Sequence, residues 1–238
     1  MKTMQKFYFI PLVILLVVFS CNVVGERGNG NVVREERKVS SFNGIEVSGA
    51  FDVLLSQGPV QSLIVEADQN LMKIIKTEVV GNTLRISQRE PIRDAKSLKI
   101  FITVPEMKRI EVSGAVDIET QTKFTQNEMS LEISGATDAK LDLAVQKLEV
   151  SSSGGCDLKL SGVATVFAID ASGAVEVKAY DLLSESVSID ISGAGNAEVN
   201  ASKEIKASVS GAGDVRYKGN PAKVWSDVSG AGSMRKAD

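Results

Sequence analysis

A Ser-Gly pair followed by a small residue, and then usually an acid, recurs at Ser48-Gly49, Ser113-Gly114, Ser134-Gly135, Ser153-Gly154, Ser172-Gly173, Ser192-Gly193, Ser210-Gly211 and Ser229-Gly230. From Ser113 onward the intervals are 21, 19, 19, 20, 18 and 19 residues. A fixed period of this size marks a repeat architecture, because a unit so short buries its apolar face only against the next unit. The first interval is 65 residues, so residues 56–112 are expected to hold divergent turns of the same structure.

With each Ser as position zero, positions −3 and −1 are mostly apolar, as in Ile45/Val47, Ile110/Val112, Leu131/Ile133, Ile169/Ala171, Ile189/Ile191 and Ala207/Val209. Position −2 between them is polar: Glu46, Glu111, Glu132, Asp170, Asp190, Ser208 and Asp227. Alternation of period two reads as a half-buried strand. The same parity resumes after the corner, with Val53, Ile118, Leu158, Val177 and Val215 among the residues at +5. Each unit is therefore strand, glycine corner, strand, loop. The unit containing Leu148-Glu149-Val150 departs from this, with two extra residues before Ser153, and is expected to bulge without losing its in/out phase.

Position +2 is Ala50, Ala115, Ala136, Gly155, Ala174, Ala194, Ala212 and Ala231. In a stack of coils each side chain lies about 4.8 Å above its equivalent, so a tight corner demands a small residue in every layer. The expected fold is all-β, a right-handed parallel β-helix of coils of about 19 residues; a β-sandwich of similar hairpins is the alternative. Asp68-Gln-Asn-Leu-Met-Lys-Ile-Ile-Lys76 opens on a capping residue and spaces Leu71, Ile74 and Ile75 on one helical face, which predicts a short helix near 69–76 over an open end of the stack.

Residues 1–20 combine two lysines with an apolar run from Phe7 to Phe19, which is the layout of a secretory signal. Val18-Phe19-Ser20-Cys21 resembles a bacterial lipobox, in which Cys21 is lipidated and becomes the first mature residue. Residues 21–32, rich in Gly and Asn, read as a flexible tether to a single domain over 33–238. Besides Cys21 the mature chain holds only Cys156, so no disulfide forms within the domain.

The whole chain carries 27 Lys+Arg against 30 Asp+Glu, which gives nucleic acid nothing to bind by phosphate neutralisation. His is absent, removing the commonest general base and the usual zinc ligands. Cys156 reads as a packed thiol, and Tyr180, Tyr217 and Trp225 as edge packing before a sugar platform. The sharpest candidate is the acid at +4: Asp52, Asp117, Asp138, Asp157, Glu176 and Asp214. Stacked carboxylates repel and would welcome calcium. However, +6 is Lys140, Lys159, Lys178, Arg216 and Arg235, so a cation beside each acid predicts a structural ladder with no metal and no cofactor.

Ile45-Glu-Val-Ser-Gly-Ala-Phe-Asp-Val53, the Ile102-Thr-Val-Pro105 step before Ile110-Glu-Val-Ser-Gly114, and the Ser-Gly-Ala-Gly repeats after Ser192 make the chain similar to the putative auto-transporter adhesin, head GIN domain family, over residues 33–233. The resemblance implies an exported, often lipid-anchored protein of Gram-negative bacteria with a right-handed parallel β-helix. It carries no catalytic residue onto this chain. The function expected is a non-enzymatic envelope lipoprotein, placed on the outer membrane by its lipid, that contacts an envelope protein or polysaccharide as an adhesin or scaffold. A carbohydrate-active lyase or hydrolase and a calcium-stabilised solenoid are the rival expectations.

Overall fold

The computed structural model describes residues 25–237, all β and irregular structure with no helix among them. In chain order the strands are β1 (Glu26–Arg27), β2 (Val32–Glu36), β3 (Gly44–Gln57), β4 (Ser62–Asp68), β5 (Ile75–Val80), β6 (Thr83–Gln88), β7 (Ile92–Asp94), β8 (Leu98–Val104), β9 (Arg109–Thr120), β10 (Phe124–Ile133), β11 (Ala136–Ser152), β12 (Gly155–Lys218), β13 (Lys223–Gly230) and β14 (Ser233–Lys236). Parallel and antiparallel pairs are mixed, and the sheet does not close into a barrel.

The repeat dictates the parallel part residue by residue. Ile45 pairs with Ile110, Gly49 with Gly114 and Asp52 with Asp117 between β3 and β9. Asp117 pairs with Asp138 between β9 and β11, Asp138 with Asp157 between β11 and β12, and Gly211 with Gly230 between β12 and β13. Residues of equal rank in successive units are thus hydrogen-bonded neighbours, which hairpins would not allow, since a hairpin's strands run antiparallel. The inward positions form columns of buried Ile, Val, Leu and Ala, with Phe124 and Phe167 the bulkiest fully enclosed side chains. One shared core of this kind answers the inability of any single unit to bury its own apolar face.

Glycine at the corner is required by contact. A Cβ on Gly135 would fall on the carbonyl oxygen of Gly114, and one on Gly154 would fall on that of Gly135. Gly114 has the further constraint of φ at +118°, a conformation that side-chain-bearing residues rarely adopt.

The faint segment supplies the layer below β3 in two pieces. β6 sets Leu84 and Ile86 against Ile45 and Val47, while β8 sets Lys99 and Ile100 against Asp52 and Val53. Beyond them the chain turns antiparallel, with β4 on β8, β2 on β4 and β5 on β6.

Three expectations are corrected. Residues 69–74 are consecutive turns and not a helix: Leu71 N–H donates to the Asp68 carbonyl at 2.8 Å and Ile74 N–H to that of Leu71 at 2.9 Å. Ile75 already belongs to β5, so the segment has no room to propagate a helix. Leu71, Ile74 and Ile75 are nonetheless buried.

The expected bulge at 148–153 is absent: Val150 pairs with Leu131 and Ile169, and Ser152 with Ile133 and Ala171, one for one. Ser152 simply fills an inward apolar position, and its hydroxyl accepts a hydrogen bond from Cys156 Sγ at 3.2 Å. The third correction concerns the tether. From Glu26 on it is paired, with β1 parallel to β7 and Gly28 N–H donating to the Asp94 carbonyl at 2.8 Å. The expected signal peptide over 1–20 and lipidated Cys21 lie outside the described residues.

Candidate functional site

The corner column and the β7–β8 segment together line a groove of about 830 Å³. Its floor includes the small +2 residues Ala50, Ala115, Ala136 and Ala174, whose lack of bulk leaves the space open. The row Asp52, Asp117, Asp138 and Asp157 lines it, with Lys99 at the head of that row, and so do Arg93 and Lys96 from the β7–β8 segment. A line of carboxylates thereby shares the groove with a short basic wall.

The acids are neighbours in register, about 4.8 Å apart along the stack. Asp117 is flanked on both sides, and its carboxyl is pushed up, first by burial and then by Asp138 and Asp52. Lys99 heads the row, in register with Asp52, and its Nζ stands 3.9 Å from Asp52 Oδ2.

The expected cation beside every acid is met only in part. Lys178 Nζ reaches Glu176 Oε1 at 2.8 Å on its own strand, and this contact raises the Lys178 ammonium. Lys140 turns sideways instead, to Glu119 one unit back at 2.6 Å, and Arg216 turns likewise to Glu198 at 3.6 Å. Among the described residues Asp117, Asp138 and Asp157 have no ion pair within 4.0 Å. A lateral partner of opposite charge lies one layer away on the same face, and that is as close as a partner two residues along the strand. The described residues contain no cluster of three or more ligating side chains converging on a point, because the carboxylates run in a line.

The basic wall is held in place by Asp68, at the end of β4. This carboxylate is fully buried and accepts the backbone N–H groups of Lys96 at 2.7 Å and Ser97 at 3.4 Å on Oδ2, and of Gly30 on Oδ1. Burial by itself would raise this carboxyl, but the three backbone donors outweigh it and hold it below the usual carboxylate range. Gly28 has no side chain because Asp68 occupies that space. Next to it, Ser97 Oγ donates to Glu66 Oε1 at 2.7 Å and Arg34 Nε pairs with Glu66 Oε2 at 2.7 Å, and these two bonds lower the Glu66 carboxyl. One buried carboxylate therefore ties the N-terminal arm, β4 and the groove wall together.

The corner glycines Gly49, Gly114, Gly135, Gly154, Gly173, Gly193, Gly211 and Gly230 lie in a single column, each later one against the carbonyl of the one before. Cys156 is buried, and burial pushes its thiol up. The three rings singled out in the sequence are dispersed: Tyr180 lies under Lys218 Nζ at 4.5 Å, Tyr217 packs against the core, and Trp225 is 48% exposed on β13. Lys99, Arg93 and Lys96 escaped the sequence reading, because none belongs to the repeat, and Asp68 reads there only as the cap of a helix that does not form.

Stacked units of equal register with a charged groove at their corners define the class of this molecule. The chain belongs to the family described as putative auto-transporter adhesin, head GIN domain, whose model matches residues 41–221. Among solved structures it is similar to a putative adhesin from Bacteroides fragilis NCTC 9343, 28% identical with a TM-score of 0.86 over 90% of this chain and 100% of that one. A putative lipid binding protein from Parabacteroides distasonis ATCC 8503 shares the fold at 23% identity and TM-score 0.69, covering 90% of this chain and 99% of that one. A putative adhesin from the same organism does so at 22% and 0.72, covering 89% and 99%. No curated protein matches.

Proposed function

We propose that the protein is a non-enzymatic cell-envelope lipoprotein, exported by the segment 1–20 and held on the outer membrane through lipidated Cys21, whose corner groove binds an extended envelope protein segment or polysaccharide in an adhesin-like or scaffolding role. Its parallel ladders are successive turns of one right-handed solenoid; the column of stacked glycines supports the stacking, and the handedness of parallel crossovers supports the sense. Family membership and the likeness to a putative adhesin from Bacteroides fragilis support binding over catalysis.

The observation that carries the reading is the lining of one groove by Asp52, Asp117, Asp138 and Asp157 together with Arg93, Lys96 and Lys99. Both signs of charge at layer spacing suit a partner with polar groups repeating along an extended chain. The purified chain, applied to arrays of envelope glycans and envelope proteins, is expected to select at least one ligand. The double substitution Asp138→Asn with Asp157→Asn should weaken that ligand at least about tenfold, roughly 1.4 kcal/mol. Silence on both arrays, or a ligand indifferent to the double variant, removes the groove as the binding site.

A further inference from the structure

The two ends of the stack are finished differently. At the N-terminal end the parallel ladders give way to antiparallel β2, β4 and β5, with Leu71 and Ile75 buried beneath their turns. At the other end, β13 pairs only with β12 among the described residues, so its outer backbone edge is open. The core columns run out there without cover: Val224 continues the column of fully buried Ile205 yet is 46% exposed, beside Trp225 at 48%. An open edge with apolar side chains invites another strand.

The residues of β13 say which strand. Lys223-Val-Trp-Ser-Asp-Val-Ser-Gly230 holds one cation and one anion, Lys223 and Asp227, placed symmetrically about Trp225. All three share the outward face, since β13 is in parallel register with β12 and Trp225 lies beside exposed Lys206. Paired antiparallel with itself about Trp225, β13 sets Lys223 against Asp227 of its mate, twice over, and Trp225 against Trp225. The inward face then sets Val224 against Ser226 and continues the core. No other antiparallel register of this strand on itself brings its two charges together, and a parallel one shifted by four residues does so only once.

We propose that β13 is a homophilic docking edge, through which two copies of this chain join end to end across a two-fold axis at Trp225. An isologous interface requires this self-complementarity. The chain enters the stack at the end opposite β13, so the two joined copies direct their N-termini away from each other, as copies reaching from facing surfaces would. The dimer does not depend on the corner groove or on its ligand.

A contact of one strand pair sits at the small end of protein interfaces, so a weak, concentration-dependent dimer is expected. Sedimentation velocity of the purified full chain over the micromolar range tests this. Wild type should shift with concentration from the mass of one chain toward twice that mass. Asp227→Lys, which meets Lys223 of the mate and has only Ser208 beside it on its own chain, should weaken the dimer at least tenfold. In a Glu204→Gln background, which removes the partner that Lys223 has at 3.9 Å on its own chain, Lys223→Asp should do the same, and the double exchange should restore dimerisation, with circular dichroism unchanged throughout. A wild type monomeric at every concentration overturns the proposal and leaves the edge to a strand of another protein. A dimer indifferent to both single changes, or one not recovered by the exchange, overturns it as well.

Discussion

Gly135→Ala is expected to destabilise the protein by roughly 3 kcal/mol, whereas Gly155→Ala, at the next corner along the chain, should stay within about 0.5 kcal/mol of wild type. Both substitutions add one methyl group. At Gly135 it lands on the carbonyl oxygen of Gly114, an atom fixed by the ladder between β9 and β11. At Gly155 nothing lies within 4 Å. Because the obstructing atom is backbone, relief requires two layers to separate, and each layer is registered to the next. Urea denaturation followed by circular dichroism measures the difference. Equal midpoints for the two variants would mean that the corners are not in contact.

The second large effect is at Asp68. Asp68→Ala removes the acceptor of the Lys96 and Gly30 N–H groups inside the protein and should cost about 3 kcal/mol. The loss should appear locally first, as faster hydrogen exchange in residues 25–36 and 92–99. Its pH dependence has a definite sign. The folded carboxyl lies below its unfolded value of about 3.9, so its stabilisation is complete above that value and is lost as pH falls through the folded one. Asp68→Asn should therefore flatten the acid limb of the stability curve. Asp117 acts oppositely: its raised carboxyl subtracts stability at neutral pH and regains it on protonation. That group is exposed, so solvent screening reduces its effect to a few tenths of a kcal/mol.

The division between what the residues announced and what they concealed follows the repeat. Ile45, Ile110, Leu131 and Ile189 are all buried, as their spacing requires, because a column in a stack leaves no choice of side once the parity is set. Ser152 broke the apolar pattern at an inward position and so suggested an insertion. Only the Cys156 thiol beside it explains why a hydroxyl is tolerated there. Outside the repeat, each element answers to a partner far along the chain. Gly28 and Gly30 looked like linker residues because the carboxylate they accommodate is Asp68, and the helical spacing of Leu71, Ile74 and Ile75 was equally compatible with turns leading into β5. Lys99 carries no mark of the ladder it heads, since β8 lacks the Ser-Gly corner that would have aligned it with Asp52.

The central claim is that units one Ser-Gly interval apart lie directly on one another and are interchangeable layers. Deleting residues 155–173, so that Gly154 joins Ala174, removes one such layer and leaves every remaining column in phase. Deleting residues 155–164 removes about half a layer and puts all later columns out of place. Thermal unfolding monitored by circular dichroism is expected to show a cooperative β-rich transition for the first variant, at a lower midpoint than wild type, and no folded state for the second. Equal loss of structure in both variants, or equal tolerance of both, would contradict the stacking of equivalent units.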